Sequence, residues 1–371
     1  MKRFVQFLGA ATLLLSFTQC SEDATTDSAP SVQGSVKLTA SINETRTELS
    51  GNDVLWKSND RLGLFCGTKF VNAPFTTTAG GTTSADFTGD PTDPSGSEAE
   101  VFYAYYPYSA HAVLEGSVVS GLSIPAVQTF ATKSFATELC PMATSGVDYS
   151  RLAFRTIGTV LKFQVTGQKN VTKIELTGNN GEALAGDYTI DFVGETPEMK
   201  FSGTETTLTL TCSEPVALND ASATEFYFVL PAGVEFTKGI TVKVYTDDNA
   251  EPMVKEYASP LTTRPNKLVT VKAFTYSVPV TSIEEANEAL SKGTSGVTIT
   301  STTDLTVPST LEIPNAFGHG TSTSVEIEQP VSTDLTISEK TTSDKELPET
   351  LSVEMETTAS LIRSEERRVG K

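Results

Sequence analysis

The chain has 371 residues, with 46 acidic and 27 basic side chains and a formal net charge of −19 at pH 7. This acidity argues against binding to nucleic acid, whose phosphates are bound through Lys and Arg, and against electrostatic attachment to anionic lipid. A hydrophobic fraction of 38%, with 19 Phe and 10 Tyr, excludes an unfolded acidic chain. The length predicts two or three domains, each with room for a core.

The N-terminus is typical of an export signal. Lys2 and Arg3 precede an apolar run over residues 7–17, which is too short to cross a bilayer as a folded helix. Cys20 follows at the place where bacterial lipoproteins carry their lipidated cysteine, and the segment resembles their lipobox. We predict a signal peptide over residues 1–19 and lipidation of Cys20, with secretion of an unmodified Cys20 as the alternative.

A polar, acidic stretch over residues 20–34 follows and is typical of a flexible tether. The acidic pair Glu22-Asp23 resembles the surface-export signal of Bacteroidota lipoproteins. Together these features predict a protein anchored by lipid to the outer membrane and located at the cell surface.

Short runs of alternating apolar and polar residues recur between residues 35 and 275, separated by Gly, Pro, Asn and Asp. Alternation with a period of two, interrupted by turn residues, predicts antiparallel β-sandwiches. We place one sandwich at residues 35–148 and a second at residues 149–275. The predicted fold class is therefore all-β.

A helix is predicted just after the second sandwich. Ser282 and Glu285 have the spacing of a capping box, and Ile283, Ala286 and Leu290 then lie on one face. This short helix would cap the region that follows it.

Beyond the helix, apolar-x-apolar triplets recur among Thr and Ser, for instance at residues 297–299, 325–327 and 351–353. Triplets at loosely regular spacing predict the first rungs of a β-helix or a similar solenoid. We assign residues 276–362 to the capping helix and this solenoid-like region, with a third small β-sandwich as the alternative.

The last nine residues, 363–371, crowd four basic side chains into the end of an acidic protein. Their sequence resembles the in-frame translation of a sequencing adapter, and the alternative is a genuine basic tail. We expect the adapter origin, in which case the natural protein continues past residue 362.

A series of short motifs occurs between residues 35 and 275. In chain order they are Thr45-Arg-Thr47, Val54-Leu-Trp56, Asn59-Asp60-Arg61-Leu62, Ala104-Tyr-Tyr-Pro-Tyr108, Leu122-Ser-Ile-Pro125 with Gln128, Pro141-Met-Ala143, Leu184-Ala-Gly186 and Phe228-Val-Leu-Pro231. As an ordered series they resemble the fimbrillin-like (Mfa-like) family of Bacteroidota, which comprises donor-strand pilus subunits and related surface lipoproteins. The resemblance implies two tandem Greek-key, transthyretin-like β-sandwiches. Asn59 stands where the family usually has Gly.

The resemblance also implies a mechanism. In the pilus subunits of this family, cleavage after an Arg removes the first strand of the N-terminal domain, and a strand from another subunit fills the groove. Here the cleaved bond would be Arg46–Thr47. The alternative is an Arg46 on the surface of an unprocessed lipoprotein. The removable strand would present four residues on one face: Val36, Leu38, Ala40 and Ile42.

Two tyrosines have two interpretations. Tyr105 and Tyr106 could offer exposed rings for stacking against a glycan, or alternation could turn them inward as core packing. Trp56, the only tryptophan, is expected in the core because its large apolar area favours burial.

Little in the sequence predicts catalysis or metal binding. His111 and His319 are isolated, and Cys66, Cys140 and Cys212 lack the paired spacing of zinc ligands. A Gly-rich phosphate-binding motif does not occur. We therefore expect no cofactor, no metal and no enzymatic activity.

The resemblance implies a surface adhesin, or a tip or accessory fimbrial component, located at the cell surface or in a fimbrium. Its partners would be other fimbrial subunits or surface ligands of host or bacterial cells, whether protein or glycan. The region after residue 275 favours a tip or accessory role, because a stalk subunit needs its own C-terminal segment free to donate. The alternative is the sandwich stalk of a surface protein that binds or degrades polysaccharide and whose C-terminal β-helix is cut short in this sequence.

Overall fold

The computed structural model describes residues 35–42, 54–136, 138–248, 251–292, 296–300, 309–314, 322–329, 335–340 and 350–357. Strands dominate these residues, beside a single short helix, so the predicted all-β fold is confirmed. No helix in this part of the chain has both the length and the apolar character that a membrane crossing needs. The predicted signal peptide, Cys20, Arg46, Thr47 and residues 363–371 lie outside the described residues.

The described chain up to residue 156 forms eleven strands. They are β1 (Val36–Ile42), β2 (Arg61–Cys66), β3 (Phe70–Thr77), β4 (Ser84–Gly89), β5 (Phe102–Tyr106), β6 (Val113–Glu115), β7 (Val118–Ile124), β8 (Val127–Ala131), β9 (Ser134–Phe135), β10 (Met142–Gly146) and β11 (Arg151–Thr156). Seven of them close into a barrel in the order β1-β11-β10-β5-β2-β3-β4, and β4 pairs back to β1. The β1–β11 pair is parallel. The first predicted sandwich is thus a closed barrel, which leaves no free strand edge.

Apolar residues at alternate positions fill the barrel. Leu62 and Leu64 of β2, Phe75 of β3 and Phe87 of β4 are fully buried and belong to one cluster with Trp56. Burial of each large side chain contributes about 1.5–3 kcal/mol. The barrel therefore has a hydrophobic core of its own.

The strand pairing does not change at the predicted boundary between residues 148 and 149. β11 follows that boundary and pairs with β1 and β10 inside the barrel. β7 and β8 precede it and pair with residues 186–191 and 209–211 of the second region. Local alternation predicts which face a residue occupies but not which distant strand it pairs with. The division into two domains at this boundary stays a prediction.

The second region adds twelve strands. They are β12 (Thr159–Thr166), β13 (Asn170–Gly178), β14 (Gly186–Asp191), β15 (Glu198–Phe201), β16 (Thr207–Ala217), β17 (Thr224–Leu230), β18 (Glu235–Phe236), β19 (Ile240–Thr246), β20 (Met253–Tyr257), β21 (Leu261–Thr262), β22 (Lys267–Thr270) and β23 (Phe274–Thr275). The main sheets are ordered β17-β12-β22, β20-β19-β13-β16-β8-β9 and β15-β14-β7-β6. All three contribute to one hydrophobic core.

The barrel and the second region share part of this core. Phe65 of β2, Tyr105 of β5 and Ala143 of β10 belong to the same buried cluster as Leu122 of β7. A Cβ atom at Gly63 would lie 2.2 Å from a ring carbon of Tyr105, so only glycine leaves room for this ring. The contact surface is therefore built from the outer side of β2, β5 and β10.

Gln128 joins two sheets of the second region. Its side chain is buried; its Nε2 donates to the Val229 carbonyl at 2.7 Å, and its Oε1 accepts from the Val229 N–H at 2.9 Å. Val229 lies in β17, which is the last strand of its sheet. The amide side chain thus pairs with backbone groups at a sheet edge, where no neighbouring strand pairs with them.

Residues after 275 form strands and the predicted helix. They are β24 (Val278–Val280), α1 (Ile283–Ser291), β25 (Gly296–Thr300), β26 (Ser309–Pro314), β27 (Ser322–Gln329), β28 (Leu335–Lys340) and β29 (Thr350–Thr357). Ser282 Oγ accepts from the Glu285 N–H at 3.2 Å, and the Glu285 carboxylate accepts from the Thr281 N–H at 2.8 Å. Ala286 and Leu290 are buried. The predicted cap and apolar face of α1 are confirmed.

The strands around and beyond α1 pair in parallel. They alternate between two sheets, β24-β25-β27-β29 and β26-β28. Val297, Val325 and Val353 occupy the same register position in β25, β27 and β29. In-register parallel stacking of successive strands is typical of a solenoid and differs from the antiparallel pairing of a third sandwich.

We expect Gln128→Leu to lower the free energy of unfolding by about 2–4 kcal/mol, because the buried N–H and C=O of Val229 would lose their partners. Chemical denaturation of the full chain measures this loss. Val127→Ala on the same strand is the matched control, since Val127 is 60% exposed. Equal effects of the two substitutions would contradict a role for the Gln128 amide.

Candidate functional site

The barrel contains β1, the strand that the family resemblance predicts to be removable. In β1, Leu38, Ala40 and Ile42 are 1%, 0% and 6% exposed, and Val36 is half-buried. The four residues share the inner face, as the alternation predicts. Their displacement stays a prediction.

Both edges of β1 are paired. One edge runs antiparallel to β4, with Val36 opposite Gly89 and Ser41 opposite Ser84. The other runs parallel to β11. The Thr39 N–H donates to the Ser150 carbonyl at 2.9 Å, just before β11 begins. Removing β1 would therefore leave two unpaired strand edges along one apolar groove.

Trp56 lies against β1 from inside the barrel. Its indole Nε1 donates to the Ala40 carbonyl at 3.0 Å, and this hydrogen bond is buried. The ring meets Phe87, Tyr106 and Phe154 edge-on, with centroids 5.0, 5.4 and 5.7 Å away. The expected core position of Trp56 is confirmed, and the indole adds a polar contact to β1.

A buried carboxylate lies close to this aromatic cluster. Asp60 is 2% exposed; it accepts from the Lys57 N–H at 2.7 Å and from the Tyr106 hydroxyl at 2.9 Å. Burial raises the pKa of Asp60 above its ordinary value, although both hydrogen bonds favour the ionised form. Tyr106 also accepts from the Glu138 N–H at 3.0 Å, so Asp60 and Tyr106 tie two loops to β5.

The preceding residue explains one departure from the family motif. Asn59 has φ 73°, in the left-handed region, where Asn and Gly are the residues most readily accommodated. Asn in place of Gly therefore retains the turn that positions Asp60.

The outer face of β1 is polar and exposed. Lys37 Nζ lies 2.7 Å from an Asp86 oxygen of β4, and Thr39 Oγ1 donates to the other oxygen at 2.9 Å. The hydrogen bond from Lys37 lowers the pKa of the exposed Asp86 carboxyl. These groups border an open depression of about 550 Å³ with Thr76, Ser84 and Thr88.

The structure corrects the glycan interpretation of the two tyrosines. Tyr105 is 0% and Tyr106 is 5% exposed, so neither ring is available for stacking against a sugar. Tyr105 packs between the barrel and the second region, and its hydroxyl donates to the Asn72 side chain at 2.6 Å. Tyr106 belongs to the barrel core with Trp56. Burial raises the pKa of both hydroxyls.

Groups with potential chemical reactivity are scattered among the described residues. His111 is exposed in a loop, whereas the thiols of Cys66 and Cys140 are buried and form no disulfide. Burial raises the pKa of Cys212 to about 11, which keeps its thiol protonated at neutral pH. No group of three His, Cys, Asp or Glu side chains in the described part of the chain is placed to hold a metal ion.

Comparison with known proteins finds similarity to several solved structures. A candidate cell adhesion protein of Bacteroides uniformis is 14% identical, with 61% of this chain and 85% of that chain covered and a TM-score of 0.35. A candidate cell adhesion protein of Bacteroides fragilis is 12% identical, with 64% of this chain and 90% of that chain covered and a TM-score of 0.34. The C-terminally truncated tip fimbrial protein Mfa3 of Porphyromonas gingivalis is 12% identical, with 62% of this chain and 83% of that chain covered and a TM-score of 0.26. No protein-family model and no curated protein matches the sequence. Likeness at this level does not assign a function.

Asp60 should make the stability of the barrel depend on pH. Because its pKa is raised on folding, the folded state binds the proton more tightly than the unfolded chain does. We therefore compare the free energy of unfolding of the natural chain with that of Asp60→Asn and take the difference, natural minus variant. This difference should fall as pH rises from the pKa of Asp60 in the unfolded chain, about 3.9, through its pKa in the folded protein. Denaturant titrations of both proteins between pH 3 and 8 measure this difference.

Asp93→Asn is the matched control for this slope. The Asp93 carboxyl is exposed, and its pKa is lowered by hydrogen bonds from Ser95. The free energy of unfolding of the natural chain minus that of Asp93→Asn should rise with pH over the acidic range. A rise for Asp60→Asn as well would show that burial of Asp60 does not govern its titration.

Proposed function

We propose that the chain is a lipid-anchored surface protein of the fimbrillin-like type that acts as an adhesin or as a tip or accessory fimbrial component. In this proposal, cleavage of the Arg46–Thr47 bond frees β1, and a strand from another subunit takes its place. The anchor is the lipid on Cys20. The partners are other fimbrial subunits or surface ligands, and the role is not enzymatic.

The observation that carries the proposal is the place of β1 in chain and barrel. All six other barrel strands follow residue 60 in sequence, so one cleavage after Arg46 detaches β1 and cuts no other strand. β1 nevertheless pairs along both edges and closes the barrel. Among the barrel strands, it is the one that a single break near the N-terminus can release.

The energetics favour replacement over an empty groove. β1 buries Leu38 and Ile42, each stabilising by about 1.5–3 kcal/mol, and pairs with backbone groups on two neighbours. A vacated groove would expose that apolar surface and leave the edges of β4 and β11 unpaired. An incoming strand recovers both contributions, which is the physical basis of strand addition.

The region after residue 275 supports a tip or accessory position within this proposal. There the chain continues into α1 and parallel strands, so the second region is not followed directly by a free donor segment. The in-register parallel strands also favour a second candidate, a surface stalk whose solenoid binds or degrades polysaccharide.

Strand exchange is tested by comparing chains that begin at residue 21 and at residue 47. We expect the shorter chain to form polymers, or to remain monomeric and stable only when a peptide spanning residues 35–43 is added. Light scattering after size exclusion and thermal denaturation measure the two outcomes. The control is a peptide with Leu38→Asp and Ile42→Asp, which cannot fill the apolar groove.

A shorter chain that stays monomeric, folds without peptide and binds none would contradict strand exchange. Processing is tested separately. Arg46→Gln should block release of the N-terminal segment by an Arg-specific protease, whereas Arg61→Gln should not, because Arg61 lies within β2.

A further inference from the structure

The inner residues of β1 differ in size in a way that matches their neighbours. Leu38 lies opposite Phe87 of β4, and Ile42 lies opposite Phe154 of β11. Between them, Ala40 lies opposite another alanine, Ala85 of β4. On the β4 side, the middle of the strand is therefore a pair of small residues between two layers of large ones, and on the other side Leu152 of β11 lies opposite Ala40.

Trp56 lies across this small pair. Its ring contacts Phe87 in one flanking layer and Phe154 in the other, and its Nε1 donates to the Ala40 carbonyl between them. Trp56 is the largest of the fully buried side chains, and Ala40 itself is 0% exposed. A large side chain at position 40 would compete with the indole for the same space.

Trp56 is held by the groove and not by β1 alone. Its N–H donates to the Thr82 carbonyl at 2.8 Å, and its own carbonyl accepts from the Gly81 N–H at 2.8 Å. It also follows residue 46 in sequence. When β1 leaves, Trp56 stays in the groove with an unpaired indole N–H.

Building on the proposed function, we infer that Trp56 selects the incoming strand. The partner is an extended strand from another protein chain with the pattern large-x-small-x-large, where the small residue is Gly, Ala or Ser and its carbonyl accepts from the indole. A slip by one residue turns polar side chains inward. A slip by two residues places a large side chain against Trp56. The pattern thus allows a single register.

The outer face adds a charge requirement. Asp86 lies 2.7 Å from Lys37 in the intact barrel and belongs to the groove wall, so it loses this partner when β1 departs. A Lys or Arg one position before the first large residue would restore the pair. Because the pair is exposed, it contributes more to the rate and selectivity of docking than to affinity.

The test uses the full chain with a site for a sequence-specific protease inserted between Arg46 and Thr47. After cleavage, dye-labelled peptides spanning residues 35–43 replace the released segment, and fluorescence anisotropy measures their affinity. We expect the Ala40→Leu peptide to bind at least about tenfold more weakly than the natural peptide, because overfilling a packed core is unfavourable. Ser35→Leu, an enlargement at an exposed position just before β1, should change the affinity less than about threefold.

The outcomes separate this inference from the proposed function. Absence of binding by the natural peptide would overturn strand exchange itself. Binding of the natural and Ala40→Leu peptides with equal affinity would leave strand exchange standing and overturn the selection by Trp56. An equal loss for Ser35→Leu would overturn it as well.

Two further measurements assign the selection to the indole. Binding of the natural peptide should shift the emission of Trp56, the only tryptophan, to shorter wavelength as the ring is buried again. In the Trp56→Phe chain, the affinity of the natural peptide divided by that of the Ala40→Leu peptide should fall several-fold, since the smaller ring leaves space at position 40. An unchanged ratio would place the selection elsewhere in the groove.

Discussion

The first strand in the described part of the chain, β1, closes the barrel, and much of the structure depends on that closure. β1 satisfies the backbone edges of β4 and β11 at once and supplies a row of side chains to the core between them. Because buried backbone groups need partners, the barrel cannot lose this strand and remain at the same free energy. The same strand lies nearest the N-terminus, so the contact that completes the core is also the one that a single chain break can remove.

Part of the barrel wall is held by contacts that do not involve β1. Phe65, Tyr105 and Ala143 contact the second region from β2, β5 and β10, and β5 lies three strands from β1 along one path and four along the other. The second region therefore holds the side of the barrel that faces away from β1. On the near side, Asp60 and Tyr106 tie the loop after Trp56 to β5.

Sequence patterns predicted those features that depend on local chemistry. Alternation in β1 identified its inner face, and the spacing of Ser282 and Glu285 identified the start of α1, because each is encoded within a few residues. The triplets at residues 297–299 and 325–327 likewise occur in paired parallel strands. Closure of the barrel and the crossing of strands between the regions were not predicted, since they depend on pairing between distant segments. The burial of Tyr105 was left open for the same reason, as its cover comes from a different region.

The motif series identifies residues of the candidate site but does not predict their hydrogen-bond partners. The motifs include Trp56, Asp60, Tyr106 and Gln128, but nothing in the sequence connects the indole of Trp56 to the carbonyl of Ala40 or the amide of Gln128 to Val229. In each case a side chain forms a hydrogen bond with the backbone of another strand. Because every residue has the same backbone carbonyl, the sequence does not identify which residue is the partner. Such contacts suit a groove that accepts different strands, because they require a backbone in the correct register and leave most of its side chains unspecified. In the proposed strand exchange, selectivity then depends on the few positions where a side chain must fit, and the position of Ala40, against Trp56, is one of them.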